Sequence, residues 1–367
     1  GAPTDQALLP AGPIEGGAIV PIGRKVTPAG RLVETVRWPL AAAFSPDGAW
    51  AYVVHNGEAR LDVIDVEQGI VTESLNVPGY RGVAVSPDGS TLFVAGAESG
   101  KVFRYARLAD GALEALDPWS FKGFLSTLAL SADGSLLYVV SNSNSRVWQL
   151  DAQTGEVLGE LAAQIYPYGL VVAPAGQRIY VSNAGGDDIS VLDFSLLDPE
   201  TGDGLGEVAL IPTDLNPMGM ALDATGALLF VANSDSDSLT VIDTDSLQVV
   251  DSIDLRYSED SPVGASPNEM QLSLDGTRLY VSEADLNVVD VIDVASRALI
   301  GRIPGGFYTT GLALAPDGRR LLICNSKGFG ASGGSPNNLS GSVSLVDLAA
   351  EPTEAEKIES LLPIDLL

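Results

Sequence analysis

Short apolar runs rich in Val, Ile, Leu and Tyr alternate along most of the chain with clusters of Gly, Pro, Asp and Asn, and no stretch sustains a helical period. Seven times, a turn of the Ser-Pro-Asp-Gly type joins two such runs, at 45–48, 86–89, 131–134, 173–176, 223–226, 273–276 and 315–318. The turn glycines fall 41, 45, 42, 50, 50 and 42 residues apart, which is the period of a four-stranded propeller blade. Four residues after each glycine stands a large apolar residue followed by a β-branched one: Tyr52-Val53, Phe93-Val94, Tyr138-Val139, Tyr180-Val181, Phe230-Val231, Tyr280-Val281 and Leu322-Ile323. Further on, an apolar pair ends in Asp, as in Val63-Ile64-Asp65 and Val241-Ile242-Asp243; the second repeat departs, reading Val102-Phe103-Arg104-Tyr105.

The pattern predicts an all-β chain folded as one seven-bladed β-propeller of four-stranded blades. In each repeat, strand A enters the turn, strand B carries the Tyr-Val pair, strand C carries the Val-Ile-Asp run, and strand D follows. The last repeat has no D strand of its own, whereas 31–37 (Arg31 to Arg37) has the look of a D strand ahead of the first A strand. Residues 31–37 are therefore expected to complete blade 7 and remove an exposed sheet edge. The division that follows is an N-terminal extension 1–30, a propeller 31–349 and an acidic and apolar tail 350–367. The repeated Asp residues read as turn and strand-end acceptors, hence scaffold.

Charge narrows the partners. With 48 Asp plus Glu against 20 Lys plus Arg, the chain of 367 residues has a net charge of −28, which argues against nucleic acid and against an anionic membrane surface. No apolar run is long enough for a membrane helix, so no membrane insertion is expected. One cysteine, Cys324, and one histidine, His55, leave no internal disulfide, no His/Cys zinc site and no tightly bound redox cofactor to expect. The opening Gly1-Ala2-Pro3, without Met or signal segment, suggests a processed chain, secreted or periplasmic.

In a propeller the B–C and D–A connections surround the channel mouth, where ligands usually sit. Eight residues before the turn glycines stand Leu40, Arg81, Ser126, Tyr168, Met218, Asn268 and Thr310; seven after them stand His55, Gly96, Ser141, Asn183, Asn233, Glu283 and Asn325. From these positions, His55, Arg81, Tyr168, Met218, Asn268, Glu283 and Asn325 are candidates to bind a protein partner or small polar ligand. Asn183, Asn233 and Asn325 also read as caps of B–C turns, and His55 as a surface histidine capping a turn. Two insertions fall on the same face, Arg256 to Pro267 and Ser326 to Ser340, and the second adds Lys327 and Phe329 as candidates. On the opposite face, Asp198, Glu200 and Asp203 form a weak Ca²⁺ candidate without the ligand ladder of an EF-hand loop.

Strand-B endings such as Tyr180-Val181-Ser182-Asn183 and Phe230-Val231-Ala232-Asn233, each followed by an apolar pair and Asp, resemble the Tyr-Val-Thr-Asn (YVTN) repeat proteins, the lactonase-like seven-bladed propellers. The resemblance spans about 31–349. Gly23-Arg24-Lys25-Val26-Thr27-Pro28-Ala29-Gly30-Arg31 and Asn325-Ser326-Lys327-Gly328-Phe329-Gly330 look like the propeller half of bacterial proteins that fuse such a propeller to an alkaline-phosphatase-like phosphoesterase. The fold is expected from this resemblance; phosphoesterase chemistry is not, because its metal ligands would lie in a domain absent here. The leading expectation is a non-catalytic binding propeller, acting alone or as an accessory subunit of a complex. The alternative is an enzyme of the lactonase or cycloisomerase kind, using His55, Arg81, and Glu283 or Glu269.

Overall fold

The computed structural model describes residues 12–14, 17–19 and 25–348, apart from 57, 199–203, 205, 257–262 and 329–339. Seven antiparallel four-stranded sheets form the blades of the propeller. The first comprises A Pro39–Phe44, B Trp50–His55, C Arg60–Asp65 and D Ile70–Asn76. The A strands of successive blades contact one another and enclose the channel. Among the described residues the one helix is a 3-10 turn, Phe194–Leu196, and no helix is long and apolar enough to cross a membrane. A three-stranded sheet, Gly12–Ile14, Gly17–Ile19 and Lys25–Val26, stands apart from the blades in its pairing.

All seven turn glycines take positive φ, between 69° and 84°, the left-handed region that glycine alone enters without a Cβ penalty. In the Asp-Gly turns the Asp side chain folds back on the turn. Asp133, for example, accepts from the Ser131 and Ser135 hydroxyls and the Ser135 amide, which hold its carboxyl down at about 2. Two residues of strand B later come the large aromatics Tyr52, Phe93, Tyr138, Tyr180, Phe230 and Tyr280, each at most 3% exposed. Burying each such side chain contributes roughly 1.5–3 kcal/mol relative to leaving it in water, so the most regular position of the repeat is also a core position.

Blade 7 combines A Thr309–Leu314, B Arg320–Asn325 and C Gly341–Asp347 with Arg31–Thr35 as its outer strand. Val33 lies opposite Val343 and is buried in a cluster that also takes in Phe44 and Val53 of blade 1. The pairing stops at Thr35, two residues short of the expected strand. Trp38 enters positive φ (60°) just beyond, so the chain turns there into the first A strand.

Small residues let the A strands close in on the channel. A Cβ on Gly169 would strike the Met218 carbonyl, one on Gly219 the Asn268 carbonyl, and one on Gly311 the Leu40 carbonyl. The neighbouring blades are also sewn together by strand-B serines: Ser182 Oγ donates to the Met218 carbonyl at 2.6 Å and Ser282 Oγ to the Thr310 carbonyl at 2.7 Å.

Candidate functional site

The channel is crossed by Arg81. From the start of blade 2 its Nη1 donates at 2.6 Å to both the Tyr168 hydroxyl of blade 4 and Asn268 Oδ1 of blade 6, and its Nη2 meets Glu269 Oε2 at 2.5 Å. Three of the expected ring positions, Arg81, Tyr168 and Asn268, therefore come together as one cluster. The fourth member, Glu269, sits where the other blades carry Ala41, Gly82, Thr127, Gly169, Gly219 and Gly311, and those mostly small neighbours leave it room in the channel. Burial works against the Arg81 charge, but Tyr168 and Glu269 outweigh it and hold the guanidinium firmly protonated. Burial likewise pushes the Tyr168 hydroxyl well up, so it stays neutral. The channel cavity, about 190 Å³, is lined by Arg81, Tyr168, Glu269, Gln271 and Thr127 among others.

Above this cluster the mouth is aromatic. Ten residues before the turn glycine stand Trp38, Gly79, Phe124, Tyr166, Asn216, Ser266 and Tyr308 in blade order, so four of the seven are aromatic. Trp38, Tyr166, Asn216, Ser266 and Tyr308 all have positive φ, from 54° to 67°, a strain of about 1 kcal/mol or more for each non-glycine. What holds them is a repeated bond: the carbonyl of the residue at this position accepts the first amide of the B–C connection, at 2.9–3.1 Å, in every blade except the second. Tyr80 takes the place in blade 2, edge-on to Phe124 (centroids 5.3 Å) and Tyr168 (6.2 Å). Tyr80, Phe124, Tyr166, Tyr168 and Met218 line a mouth cavity of about 530 Å³, with Glu98 and Asn216 at its edge.

The strand-B endings lie elsewhere. His55, Asn183, Asn233, Glu283 and Asn325 are all fully buried inside their blades. His55 is not a surface residue, whereas Asn183 and Asn233 close their B–C connections from inside, donating to Asp188 at 2.7 Å and to Ser238 at 3.1 Å; each of the five also faces the polar residue of the adjacent C strand. Asn183 Nδ2 donates to Ser190 at 2.9 Å, Asn233 Nδ2 to Thr240 at 2.9 Å, and Asn325 Nδ2 to Ser344 at 2.9 Å. Blades 1 and 6 hold titratable versions. His55 Nε2 lies 3.0 Å from Asp62 Oδ2, close enough for an ion pair but not aligned as a hydrogen bond. Burial would raise the Asp62 carboxyl, yet His55, Ser74 and Arg60 around it hold it below the usual range. In blade 6 Glu283 has no hydrogen-bond partner for either oxygen, and burial, with Asp290 and Asp237 nearby, pushes its carboxyl far above the usual range. Burial also lifts Asp290 to about 6, against the pull of Arg302 at 2.9 Å.

One family model, Lactonase, 7-bladed beta-propeller, matches residues 128–252. Among solved structures, hydrazine synthase of Kuenenia stuttgartiensis is similar, with a TM-score of 0.68 and 18% sequence identity over 86% of this chain and 97% of that one. At that identity the likeness is one of fold. No curated protein matches the chain in sequence. The matched stretch runs from the A strand of blade 3 into the D strand of blade 5. It therefore includes Tyr168 but neither Arg81 nor Glu269.

The remaining candidates divide. Met218 lines the mouth cavity beside Tyr168. Lys327 lies on the same face, its Nζ 3.7 Å from the Tyr308 ring centroid, 5.2 Å from Phe307 and 5.6 Å from Trp38. Burial holds its ammonium below the usual range. Phe329, Glu200 and Asp203 lie outside the described residues, as do most of the two insertions. Asp198 follows the 3-10 turn of blade 4, and among the described residues no group of three or more His, Cys, Asp or Glu side chains is placed to hold a metal ion. A further groove of about 650 Å³ lies on the turn face between blades 7 and 1; of its charges, Asp47 is paired with Arg107 and Arg320 with Asp347, and Asp317 and Arg319 also line it. The mouth aromatics Trp38, Tyr80, Phe124, Tyr166, Phe307 and Tyr308 were not among the sequence candidates. Four of them carried a signal all the same: Trp38, Phe124, Tyr166 and Tyr308 each stand ten before a turn glycine.

Proposed function

We propose that the protein is a binding propeller that docks a protein partner at the channel mouth. The observation that carries this reading is the mouth cavity walled by Tyr80, Phe124, Tyr166, Tyr168 and Met218, with Tyr166 61% exposed. Aromatic residues of this kind bury large area at small entropic cost and dominate interfaces when desolvated by a partner. The positive φ of Tyr166 (54°) supports the reading further, since such strain concentrates at ligand clamps. The burial of His55 and Glu283 removes the only imidazole and one carboxylate from any surface chemistry. Capture from the native source tests it: wild type and a turn-face Arg319→Ala variant should retain the same partner, and Tyr166→Ala should lose it. Equal capture by Tyr166→Ala would refute the reading.

A second reading, a lactonase-type or other hydrolytic enzyme acting at the channel, is favoured by the Arg81–Glu269 pair lining the channel cavity and by the family-model match. It predicts hydrolysis of a lactone panel that disappears in Glu269→Gln.

A further inference from the structure

The mouth carries two aromatic clusters built from the same repeat position. One is formed by Trp38 and Tyr308 with Phe307, and it surrounds the ammonium of Lys327 at 3.7 to 5.6 Å. The other is formed by Phe124 and Tyr166 with Tyr80 and Tyr168, and among the described residues no cation lines it. Such groups attract a cation through the negative faces of their rings. The protein thus displays on its own face how a lysine is held there.

The charge around the second cluster has the complementary sign. Glu98 lines the cup and is exposed. The B–C connections of the same face add the exposed carboxylates Asp235 and Asp285, and Glu58, which is paired with Arg37 at 3.1 Å. Behind them stands a chain of net charge −28, whose field draws cations toward a concave mouth. Two cations near the cup oppose this: Lys122, exposed two residues before Phe124, lines a separate groove rather than the cup, and Arg81 has its Cζ 4.6 Å from the Tyr168 ring centroid. Its charge is matched by Glu269 at 2.5 Å, and it does not line the cup.

We propose that the Tyr80–Phe124–Tyr166–Tyr168 cup receives a lysine side chain presented by the partner protein, with Glu98 at the rim facing the incoming ammonium. The inference rests on the mouth being the binding face and names the chemistry of what enters it. A cup open on one side suits this ligand, because the ammonium keeps part of its hydration while its methylene stem lies against the rings.

The test uses the whole chain labelled with 3-fluorotyrosine and two uncharged-ended pentapeptides that differ only at the central residue, lysine or its neutral isostere norleucine. The lysine peptide should shift the Tyr80 and Tyr166 fluorine resonances saturably. Its affinity should exceed that of the norleucine peptide roughly threefold to tenfold, and Glu98→Gln should weaken the lysine peptide alone. If norleucine binds the same tyrosines equally well, the cation is wrong while the mouth as binding face survives. If neither peptide shifts a mouth tyrosine, or the lysine peptide acts only away from the mouth, the inference falls.

Discussion

Arg81 and Glu269, on blades 2 and 6, form an ion pair of 2.5 Å inside the channel, with the arginine side chain 5% and the glutamate 26% exposed. The pair joins blades that are far apart in sequence, and Tyr168 and Asn268 complete the shell around the guanidinium. Removing one partner of a buried pair leaves the other desolvated and unmatched. Arg81→Ala should accordingly lower stability by about 2–4 kcal/mol, the lower part of that range reflecting the partial exposure of Glu269. Urea unfolding at neutral pH measures this, and a change under about 0.5 kcal/mol, the size expected of a surface site, would contradict it.

Blade 6 makes stability fall with rising pH. Glu283 is lifted above its usual range, and Asp290 is lifted to about 6, so both bind protons in the folded chain that the unfolded chain has already released. Their stabilisation is present in full below the unfolded carboxyl values near 4 and is lost as pH climbs through the folded values. Glu283→Gln, which is neutral at every pH, should be the more stable protein at pH 8 and show a flatter profile from pH 4 to 8. Parallel urea midpoints for the two proteins over that range would refute this.

Closure of the ring rests on Val33, which is buried against Val343 and the blade 1 core. Val33→Asp should cost several kcal/mol as a buried, unpaired charge, and deletion of residues 1–38 should expose the edge of blade 7 and reduce solubility. A truncated chain as stable and soluble as the full one would overturn the assignment of that strand.

The purified protein should hold no stoichiometric zinc, copper or iron after dialysis. One histidine locked beside Asp62 and one buried thiol pushed up to about 12 by burial make poor ligands for such ions. Elemental analysis decides it.

The blades were legible because their determinants are local. Each Asp-Gly turn fixes its own hairpin, and each Tyr-Val pair marks a strand that is buried on both faces. The Arg81 cluster was legible in part for the same reason, since Arg81, Tyr168 and Asn268 share a repeat position whose side chains point to the axis. His55 and Glu283 misled because their place at a strand end suggests exposure; whether a strand end is covered depends on how tightly the neighbouring blade packs, which the repeat does not encode. Tyr166 and Tyr308 were missed because a bulky aromatic in a left-handed backbone conformation runs against local preference. There the B–C amide binds its carbonyl, a contact made across the connection.

The most direct test of the binding face is hydrogen exchange on the protein with and without the partner captured from its native source. Binding at the mouth predicts slowed exchange in the D–A connections around Trp38, Tyr80, Phe124 and Tyr166 and in the B–C connections that face them, with the Pro-Asp-Gly turns unchanged. Protection confined to those turns, or to the groove between blades 7 and 1, would place the working face on the opposite side and contradict the account.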